Sequence, residues 1–570
     1  MRSAKSNALL PVCLAVLLVF SISFSALAQT RSLRSSYVPR MVDVITKLAP
    51  GLYEKIQLGG SYTKLRVIVQ TSGMTSNEEQ AVVAANYGEL NRSFKYVDGF
   101  AAELPVSQIW FLASDPRVVR ISPDLRLLST LDVAQPSLMD ASAQSTPGGP
   151  GNPGITLTGK GITIAVIDSG IYSHDDLKGA DRKSRIIARQ SFLISADLKG
   201  VSNAEDPFGH GTHIAGIIAG NGATSSILGA FRSFRGMASE ASLISLQVLG
   251  PDGGGYVSNV IAAIEWCIDN KNRHDIKIIN LSLGHPITDY YYKDPLCQAV
   301  ENAWNAGIVV VASAGNRGRG GYVTINSPGN DPYVITVGAM NDINSVPRPD
   351  DIITTYSSRG PTAGDGILKP DLVSAGNRIV SLTSPGSTLY ISYKENRLTQ
   401  DLWKNNGNPD VDDEFIELSG TSMATAIVSG AIALMMERNL TISPDTVKAR
   451  LMRSAEKLDY DIPTRGSGYL NLFGLLKASG ICNDARSPQI CVDDFGDEYI
   501  CSSGDLGGKD NPLWGDQSLW GDQSIWGDQT LWGDQSLWGD QSLWGDQSLW
   551  GDAIASENGE VMESGDLNAQ

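Results

Sequence analysis

Histidine is scarce in this sequence, with five residues in a chain of 570. Two of the five, His210 and His213, lie three positions apart in the stretch FGHGTHIAG. A zinc metallopeptidase helix needs histidines four positions apart with a glutamate directly after the first, and Gly211 stands at that position. The spacing therefore argues against zinc and leaves two interpretations, a catalytic base with a neighbour or two packed core residues.

A long uninterrupted apolar run is missing at the N-terminus. The run ALLPVCLAVLLVF contains Pro11 and falls short of the roughly 20 apolar residues that a membrane-spanning helix needs. It follows the basic residues Arg2 and Lys5 and precedes Ala26-Leu27-Ala28, which has the small-residue form of a cleavage site. We predict a signal peptide over residues 1–28, no transmembrane span, and a secreted, extracellular or cell-surface-associated protein.

Positive charge is in deficit. The formal net charge of −17 speaks against nucleic acid and anionic membranes as partners. Residues 481–570 hold 18 Asp and Glu against two basic residues, so nearly all of that charge lies there. The preceding 480 residues are close to neutral, and the acidity says little about what they bind.

Cysteine is also sparse, with six residues, of which Cys13 falls in the predicted signal peptide. The other five are an odd number, so at least one is unpaired or bonds another chain. Cys482, Cys491 and Cys501 form a cluster without a CxxC pair or a nearby histidine, which argues against zinc. We predict a disulfide within this cluster and leave its connectivity open.

The C-terminal region repeats LWGDQS, with seven tryptophans at a period of six from Trp514 to Trp550. In an extended chain this period places every tryptophan on one face. Two interpretations stay open: a solvated low-complexity tail, or an aromatic, acidic ribbon that adheres to glycans, cell wall or protein.

The rest of the chain divides by texture. Residues 61–127 alternate as a small α+β unit, and residues 128–158 form a linker rich in Ser, Ala, Pro and Gly. From Gly159, short apolar runs alternate with helical stretches, which predicts an α/β fold with a mostly parallel sheet and helices on both faces. We predict this domain over 159–480, followed by a Cys-containing segment (481–510), the repeats (511–552) and an acidic tail (553–570).

Small polar residues follow the apolar runs of this α/β domain. Asp168, Ser282 and Asn316 stand at predicted strand ends, where open parallel sheets place their functional sites. A histidine acting as general base needs a nucleophile and an orienting carboxylate. Asp168 can supply the carboxylate, and Ser422 stands at the start of an Ala-rich helix, whose N–H groups favour developing negative charge. Each feature alone is a weak signal, because a serine at a helix start is usually a cap.

The motifs VIDSGI, HGTHIAG and GTSMAT together resemble the three active-site motifs of the subtilisin-like serine peptidases over about residues 159–478. Their Asp, His, Ser order is the known order of subtilisin itself. The resemblance implies that His210 takes the proton of Ser422, that Asp168 orients His210, and that His213 is a structural histidine. Asn316 in the stretch AGN matches the family's oxyanion asparagine.

The resemblance also implies a cleft that binds an extended peptide as an added strand, between NLSLG and GPDGGGY. Asn326, in INSPGNDPYVITVGA, is expected at the base of the primary specificity pocket. The implied substrate-binding residues are Ser282, Leu283, Gly284, Gly253, Gly254, Gly255 and Asn326.

Residues 61–127 resemble the family's inhibitory pro-domain, so we predict a pro-segment (29–60), an intramolecular inhibitor, and a processing site within the linker. Catalysis requires no cofactor. Structural calcium stays open, because Asp176 matches a ligand of some relatives while the companion loop is not clearly reproduced. Ala426 replaces a usual proline, and the long polar stretch from Ser384 to Glu417 is interpreted as a solvated insertion rather than an active-site rim.

We therefore predict a secreted serine endopeptidase, made as a zymogen, that cleaves extended polypeptides through an acyl-enzyme on Ser422. The alternative is a catalytically silent peptide-binding or surface-adhesion protein that uses the tryptophan repeats. An intact set of catalytic residues favours the enzyme.

Overall fold

The computed structural model describes residues 44–58, 63–129, 157–193, 205–343, 350–412, 414–492 and 498–501. The chain separates into two compact units at Thr46 and Lys47, and only residues 44–46 of the first are described. The predicted signal peptide, most of the pro-segment and linker, the tryptophan repeats and the acidic tail lie outside the described residues. No helix in the described ranges has the length and apolarity to cross a membrane.

The N-terminal part of the second unit is a four-stranded antiparallel sheet in the order β2-β3-β1-β4. Strand β1 contributes Val67, Ile68 and Val69 to the core, and Gly99 starts β3 with a φ of +155° where a side chain would collide with β1. The elements are α1 (Leu52–Leu58), β1 (Lys64–Thr71), α2 (Ser76–Ala85), β2 (Glu89–Ser93), β3 (Gly99–Pro105), α3 (Val106–Ala113), β4 (Val118–Pro123) and β5 (Arg126–Ser129).

The larger part is built on an eight-stranded sheet in the order β15-β14-β12-β10-β6-β8-β7, with β16 beside β14. All its pairs are parallel except that of the edge strand β15. The strands are β6 (Thr163–Asp168), β7 (Ile186–Ser191), β8 (Ser242–Gln247), β10 (Ile276–Leu281), β12 (Val309–Ser313), β14 (Ile335–Asn341), β15 (Ile352–Ile353) and β16 (Leu372–Ala375). Every residue of β6 and β12 is buried, as strands covered on both faces require.

Helices cover this sheet, and the predicted α/β fold class is confirmed. Two long helices, α5 (Val257–His274) and α8 (Thr421–Arg438), pack on the central strands. The others are α4 (His210–Ala219), α6 (Pro295–Asn305), α7 (Thr388–Ser392), α9 (Pro444–Ser454), α10 (Ile462–Arg465) and α11 (Leu472–Lys477). Two of these helices start with a side-chain cap: Asp294 accepts from Leu296 N at 2.8 Å in α6, and Ser443 accepts from Thr446 N at 3.2 Å in α9.

A second, smaller sheet has the order β13-β11-β5-β9 and joins the two parts of the unit. Its members from the larger part are β9 (Gly254–Tyr256), β11 (Leu283–Pro286) and β13 (Asn326–Ser327). Strand β5 lies between β11 and β9 and pairs antiparallel with both. It extends to Ser129, two residues past the end predicted for the pro-domain at residue 127.

The insertion from Ser384 to Glu417 is not a solvated excursion, and that expectation was wrong. It connects β17 (Ile379–Leu382) with β18 (Phe415–Leu418), which pair antiparallel. Several of its apolar side chains are buried: Leu389, Leu398, Trp403 and Phe415 are 0–7% exposed. The polar composition of the stretch hid these well-spaced apolar anchors.

The cysteine-containing segment packs on the larger part. Ser487 N and Ile490 N donate to the carbonyls of Pro332 and Gly366, and β19 (Gln489–Val492) pairs with β20 (Glu498–Cys501). Cys491 is disulfide-bonded, and the pairing within the predicted cluster stays a prediction. Cys267 and Cys297 are buried free thiols.

Candidate active site

The site forms where neighbouring parallel strands end. Ile167 lies opposite Leu281 in the β6–β10 pair, so Asp168 and Ser282 follow side by side at the carboxyl edge of the sheet. Both are fully buried. This is the edge at which open α/β sheets place their ligands, and the structure brings two of the predicted residues together there.

Asp168 and His210 form a buried ion pair or hydrogen-bonded pair. His210 Nδ1 lies 2.8 Å from Asp168 Oδ1 and 2.9 Å from Oδ2, and neither side chain is exposed. Since the carboxylate can only accept, Nδ1 carries the proton and Nε2 of a neutral ring is the free base. Nε2 is buried and has no hydrogen-bond partner within the described residues. It is therefore available to take a proton.

A second carboxylate, that of Asp206, sets the loop before His210. It accepts hydrogen bonds from Ser169 Oγ at 2.7 Å, Gly209 N at 2.8 Å and Thr212 N at 2.8 Å. Gly209 has a φ of +100°, a conformation that a side chain disfavours. Sequence reasoning missed Asp206, although a carboxylate four residues before the catalytic-type histidine was the available signal.

Ser422 lies one residue into α8 and is fully buried. Its Oγ donates to the carbonyl of Ser282 at 3.1 Å, and Ser282 Oγ donates in turn to the carbonyl of Ser422 at 3.1 Å. These two bonds hold Ser422 against the strand end beside Asp168. The Ser422 hydroxyl points at Ser282 rather than at His210 Nε2 in this structure.

The Asn316 side chain has a fixed orientation. Thr421 donates to Asn316 Oδ1 from its backbone N at 3.1 Å and from its Oγ1 at 2.9 Å. A backbone N–H can only donate, so the atom it meets is the oxygen and the amide nitrogen points the other way. Asn316 Nδ2 is buried without a hydrogen-bond partner in the described part of the chain. The Asn316 amide is therefore bonded through its oxygen to the residue before Ser422 and keeps an unbonded N–H donor.

His213 is occupied by structural bonds. Its Nε2 lies 3.1 Å from the carbonyl oxygens of both Ile379 and Ile416. These residues belong to the paired strands β17 and β18. Burial lowers the pKa of His213 to about 3, helped by the nearby His210, so the ring stays neutral. This ring joins α4 to the hairpin that precedes Ser422.

The predicted substrate segments flank strand β5. Leu283 and Gly284 lie opposite Ser129 and Leu128, and on the other side Gly254 and Gly255 pair with Leu128 and Leu127. Gly253 accepts a hydrogen bond from Ser129 N at 3.2 Å. Ser282 instead bonds to Ser422. The cleft therefore holds an extended segment of this chain as an added strand.

Asn326 lies on β13, next to β11. A Cβ on Gly315 would meet its amide at 2.8 Å and a Cβ on Gly284 would lie 3.2 Å from its Cβ, so its side chain fills the space between these glycines. The residue is 6% exposed, and its Oδ1 has no protein partner among the described residues. The Asn326 side chain thus lies beside Gly284 of β11 and beside Gly315, the residue before Asn316.

Asp176 offers little for calcium. Its Oδ1 accepts from Thr224 N at 2.7 Å, its Oδ2 is buried without a partner in the described part, and burial raises its pKa. Calcium takes six to eight oxygen ligands, and the described ranges contain no cluster of three or more acidic, histidine or cysteine side chains. Asp176 thus supplies one unbonded carboxylate oxygen, and no other acidic side chains cluster around it in the described ranges.

Comparison with known proteins identifies the family. The profile of the subtilase family, peptidase S8, matches residues 159–470. The chain belongs to the subtilase family. It is 42% identical over 327 residues to serine protease AprX of Bacillus subtilis, a match covering 56% of this chain and 66% of AprX, just under two thirds. It is 31% identical to subtilisin E of the same organism, over 73% of this chain and 91% of subtilisin E.

A solved structure supports the fold. Fervidolysin from Fervidobacterium pennivorans, described as a keratinolytic enzyme related to subtilisin, superposes with a TM-score of 0.54 at 20% identity, covering 78% of this chain and 68% of that one. The subtilases are serine-type endopeptidases, and their catalysis needs no cofactor. This subtilase is thus a hydrolase of peptide bonds, and the silent-binder alternative is not favoured.

We expect His213→Leu to destabilise this subtilase by about 1–3 kcal/mol, because two buried carbonyls lose their donor. The folded-state pKa is depressed from 6.5 to about 3, so the stabilisation is fully present above pH 6.5 and shrinks as the pH falls towards 3. Urea unfolding between pH 4 and pH 8, in a Ser422→Ala background that prevents autolysis, measures the difference. His274→Leu at the end of α5, where the half-buried ring stacks on Trp266 and bonds to no buried carbonyl of the described residues, is the control for loss of an imidazole. Equal stability of His213→Leu and the parent at pH 7 would contradict the assignment.

Proposed function

We propose that this subtilase is a secreted endopeptidase, made as a zymogen, in which Asp168, His210 and Ser422 act as a catalytic triad with Asn316 as oxyanion donor. The Asp168–His210 pair beside Ser422 carries the proposal. Secretion rests on the N-terminal sequence. The substrates are extended segments of polypeptide.

The reaction begins with a rotation of the Ser422 side chain from the Ser282 carbonyl towards His210 Nε2. Oγ attacks the substrate carbonyl carbon while Nε2 takes the hydroxyl proton, and Asp168 stabilises the imidazolium. Asn316 Nδ2 and the backbone N–H of Ser422 at the start of α8 stabilise the oxyanion. When the C–N bond breaks, Nε2 gives its proton to the leaving amine, and water then hydrolyses the acyl-enzyme by the same steps.

The proposed pro-domain is supported by a product-like strand and by charge pairs around it. Arg126, the first residue of β5, forms an ion pair with Asp252, and the Arg66 guanidinium lies 3.6 Å from the centre of the Tyr256 ring. Leu127 is fully buried between the flanking strands, whereas Leu128 is 55% exposed. The cleft thus accepts an apolar side chain at one position and leaves the next in solvent.

Helix α5 gives this pro-domain a second docking surface. Asp124 accepts from Ser258 N at 3.0 Å at the start of α5, where a carboxylate interacts favourably with the helix dipole. One turn or more further on, Glu265 accepts the backbone N–H groups of Lys95 at 2.6 Å and Tyr96 at 2.7 Å. These bonds end when the pro-domain leaves, and they favour a latent form that is released by processing.

A fluorophosphonate probe tests the function. We expect the mature protein to be labelled on Ser422, because an activated serine attacks phosphorus as it attacks a carbonyl. Labelling is measured by intact mass and peptide mapping, with Ser422→Ala as the control and casein hydrolysis in parallel. Mature protein that is neither labelled nor active would refute the peptidase.

Asn316→Leu should lower kcat by about 10²–10³ with KM nearly unchanged, the loss found in subtilisin for its equivalent donor. The variant also removes the acceptor for Thr421, so its thermal unfolding temperature is recorded to verify the fold. A folded Asn316→Leu enzyme with full kcat would remove this residue from the catalytic set.

Processing should occur beyond Ser129, within the predicted linker, because residues 126–129 fill the cleft as the acyl side of a substrate would. N-terminal sequencing of the secreted enzyme locates the cut, and Ser422→Ala should stay uncut when it is expressed in a protease-deficient host. A mature N-terminus before Arg126 would show that β5 is not the product strand.

A further inference from the structure

The start of the insertion is bonded to the loop that carries His210. Three consecutive carbonyls, those of residues 206–208, accept hydrogen bonds from Ser384 Oγ, Thr388 N and Leu389 N at 2.9–3.0 Å. All three donors belong to the insertion. The backbone that leads into His210 is therefore held by the insertion as well as by Asp206.

The Thr388 side chain bonds to a different loop. Its Oγ1 lies 2.6 Å from the carbonyl of Pro251 and 3.4 Å from that of Pro207, which already accepts the Thr388 N–H at 3.0 Å. A hydroxyl has one proton, and the shorter distance assigns it to Pro251. Pro251 lies in the turn of residues 250–253, which leads into the substrate-binding strand β9.

These two loops also touch directly. Gly253 has a φ of +74°, and a Cβ built on it would lie 2.6 Å from the Phe208 ring, so the ring packs on this glycine. The Phe208 and His210 ring centres are 6.4 Å apart. The turn 250–253, which leads into β9, therefore packs on Phe208, two residues before His210.

The far end of the insertion is anchored firmly. Trp403 is 2% exposed, its ring meets Phe415 edge-on at 5.7 Å, and its carbonyl accepts from Phe231 N at 3.0 Å. Phe415 begins β18, which ends four residues before Ser422. Thr388 thus belongs to an insertion that is tied to β18, the strand that precedes the helix of Ser422.

We propose that Thr388 is a positioning residue: its hydroxyl ties the substrate-binding turn 250–253 to the His210 loop and sets the position of the substrate strand relative to the catalytic base. It acts through the turn and does not touch the substrate. The proposal rests on the catalytic roles given above, and it assigns to the insertion a part in binding extended peptides.

The test compares mature Thr388→Val with the unaltered enzyme on two substrates: a peptide amide with at least four residues before the scissile bond, and a one-residue activated ester that does not reach Gly253. We expect KM for the peptide to rise about 3- to 10-fold, the worth of one hydrogen bond. Ester hydrolysis and the rate of fluorophosphonate labelling should change less than twofold. Thr388→Ser, which keeps the hydroxyl, should restore the peptide KM.

Thr399→Val is the matched control, since Thr399 belongs to the same insertion and its side chain makes no capping bond. Thr388→Ala, which removes the same hydroxyl, is measured alongside in case the valine variant does not mature. Unchanged peptide KM in the hydroxyl-free variants would overturn the proposal, as would equal losses on peptide and ester, which indicate general destabilisation. Absence of labelling in the unaltered enzyme would instead refute the peptidase function itself.

Discussion

The bond between Asp168 and His210 is the interaction on which the rest of the site depends. A carboxylate with no exposed surface is costly unless donors surround it, and here it receives His210 Nδ1 and the backbone N of Ser169 at 2.7 Å. The same bond fixes the tautomer, so Nε2 is left as the base. Breaking it would leave the buried carboxylate with only the Ser169 N–H as a donor among the described residues and the His210 ring free to turn, which would remove the orientation of the ring.

Around that bond the protein supplies position rather than further chemistry. The parallel strands β6 and β10 deliver Asp168 and Ser282 to one edge, and Ser282 in turn holds Ser422 through two reciprocal hydrogen bonds. The Asp206 carboxylate arranges the backbone into α4. The strand pair and the Ser282–Ser422 bonds join segments far apart in the chain, so the site exists only when the sheet has folded.

The sequence predicted what is encoded locally. Apolar runs that alternate with helices gave the parallel sheet, and three short motifs identified the residues that the fold brings to one edge. The insertion was misjudged, because isolated apolar residues such as Leu389 and Trp403 have no period and their burial depends on partners elsewhere in the chain. The direction of the Ser422 hydroxyl was also beyond prediction, since it is set by Ser282, 140 residues away. Side-chain rotamers and hydrogen bonds between segments far apart in the chain can be read only from the folded structure.

Several polar atoms near the cleft have no hydrogen-bond partner among the described residues, and each belongs to a residue with a proposed role in catalysis or substrate binding. His210 Nε2 needs a proton donor, Asn316 Nδ2 needs an acceptor, and Asn326 Oδ1 needs a donor. Buried polar atoms cost roughly 1–3 kcal/mol each unless water or a ligand bonds to them. A serine hydroxyl, an oxyanion and a substrate group have the complementary bonding character. Under the proposed mechanism, the unmet bonds of this site are therefore the ones that a reacting peptide would supply.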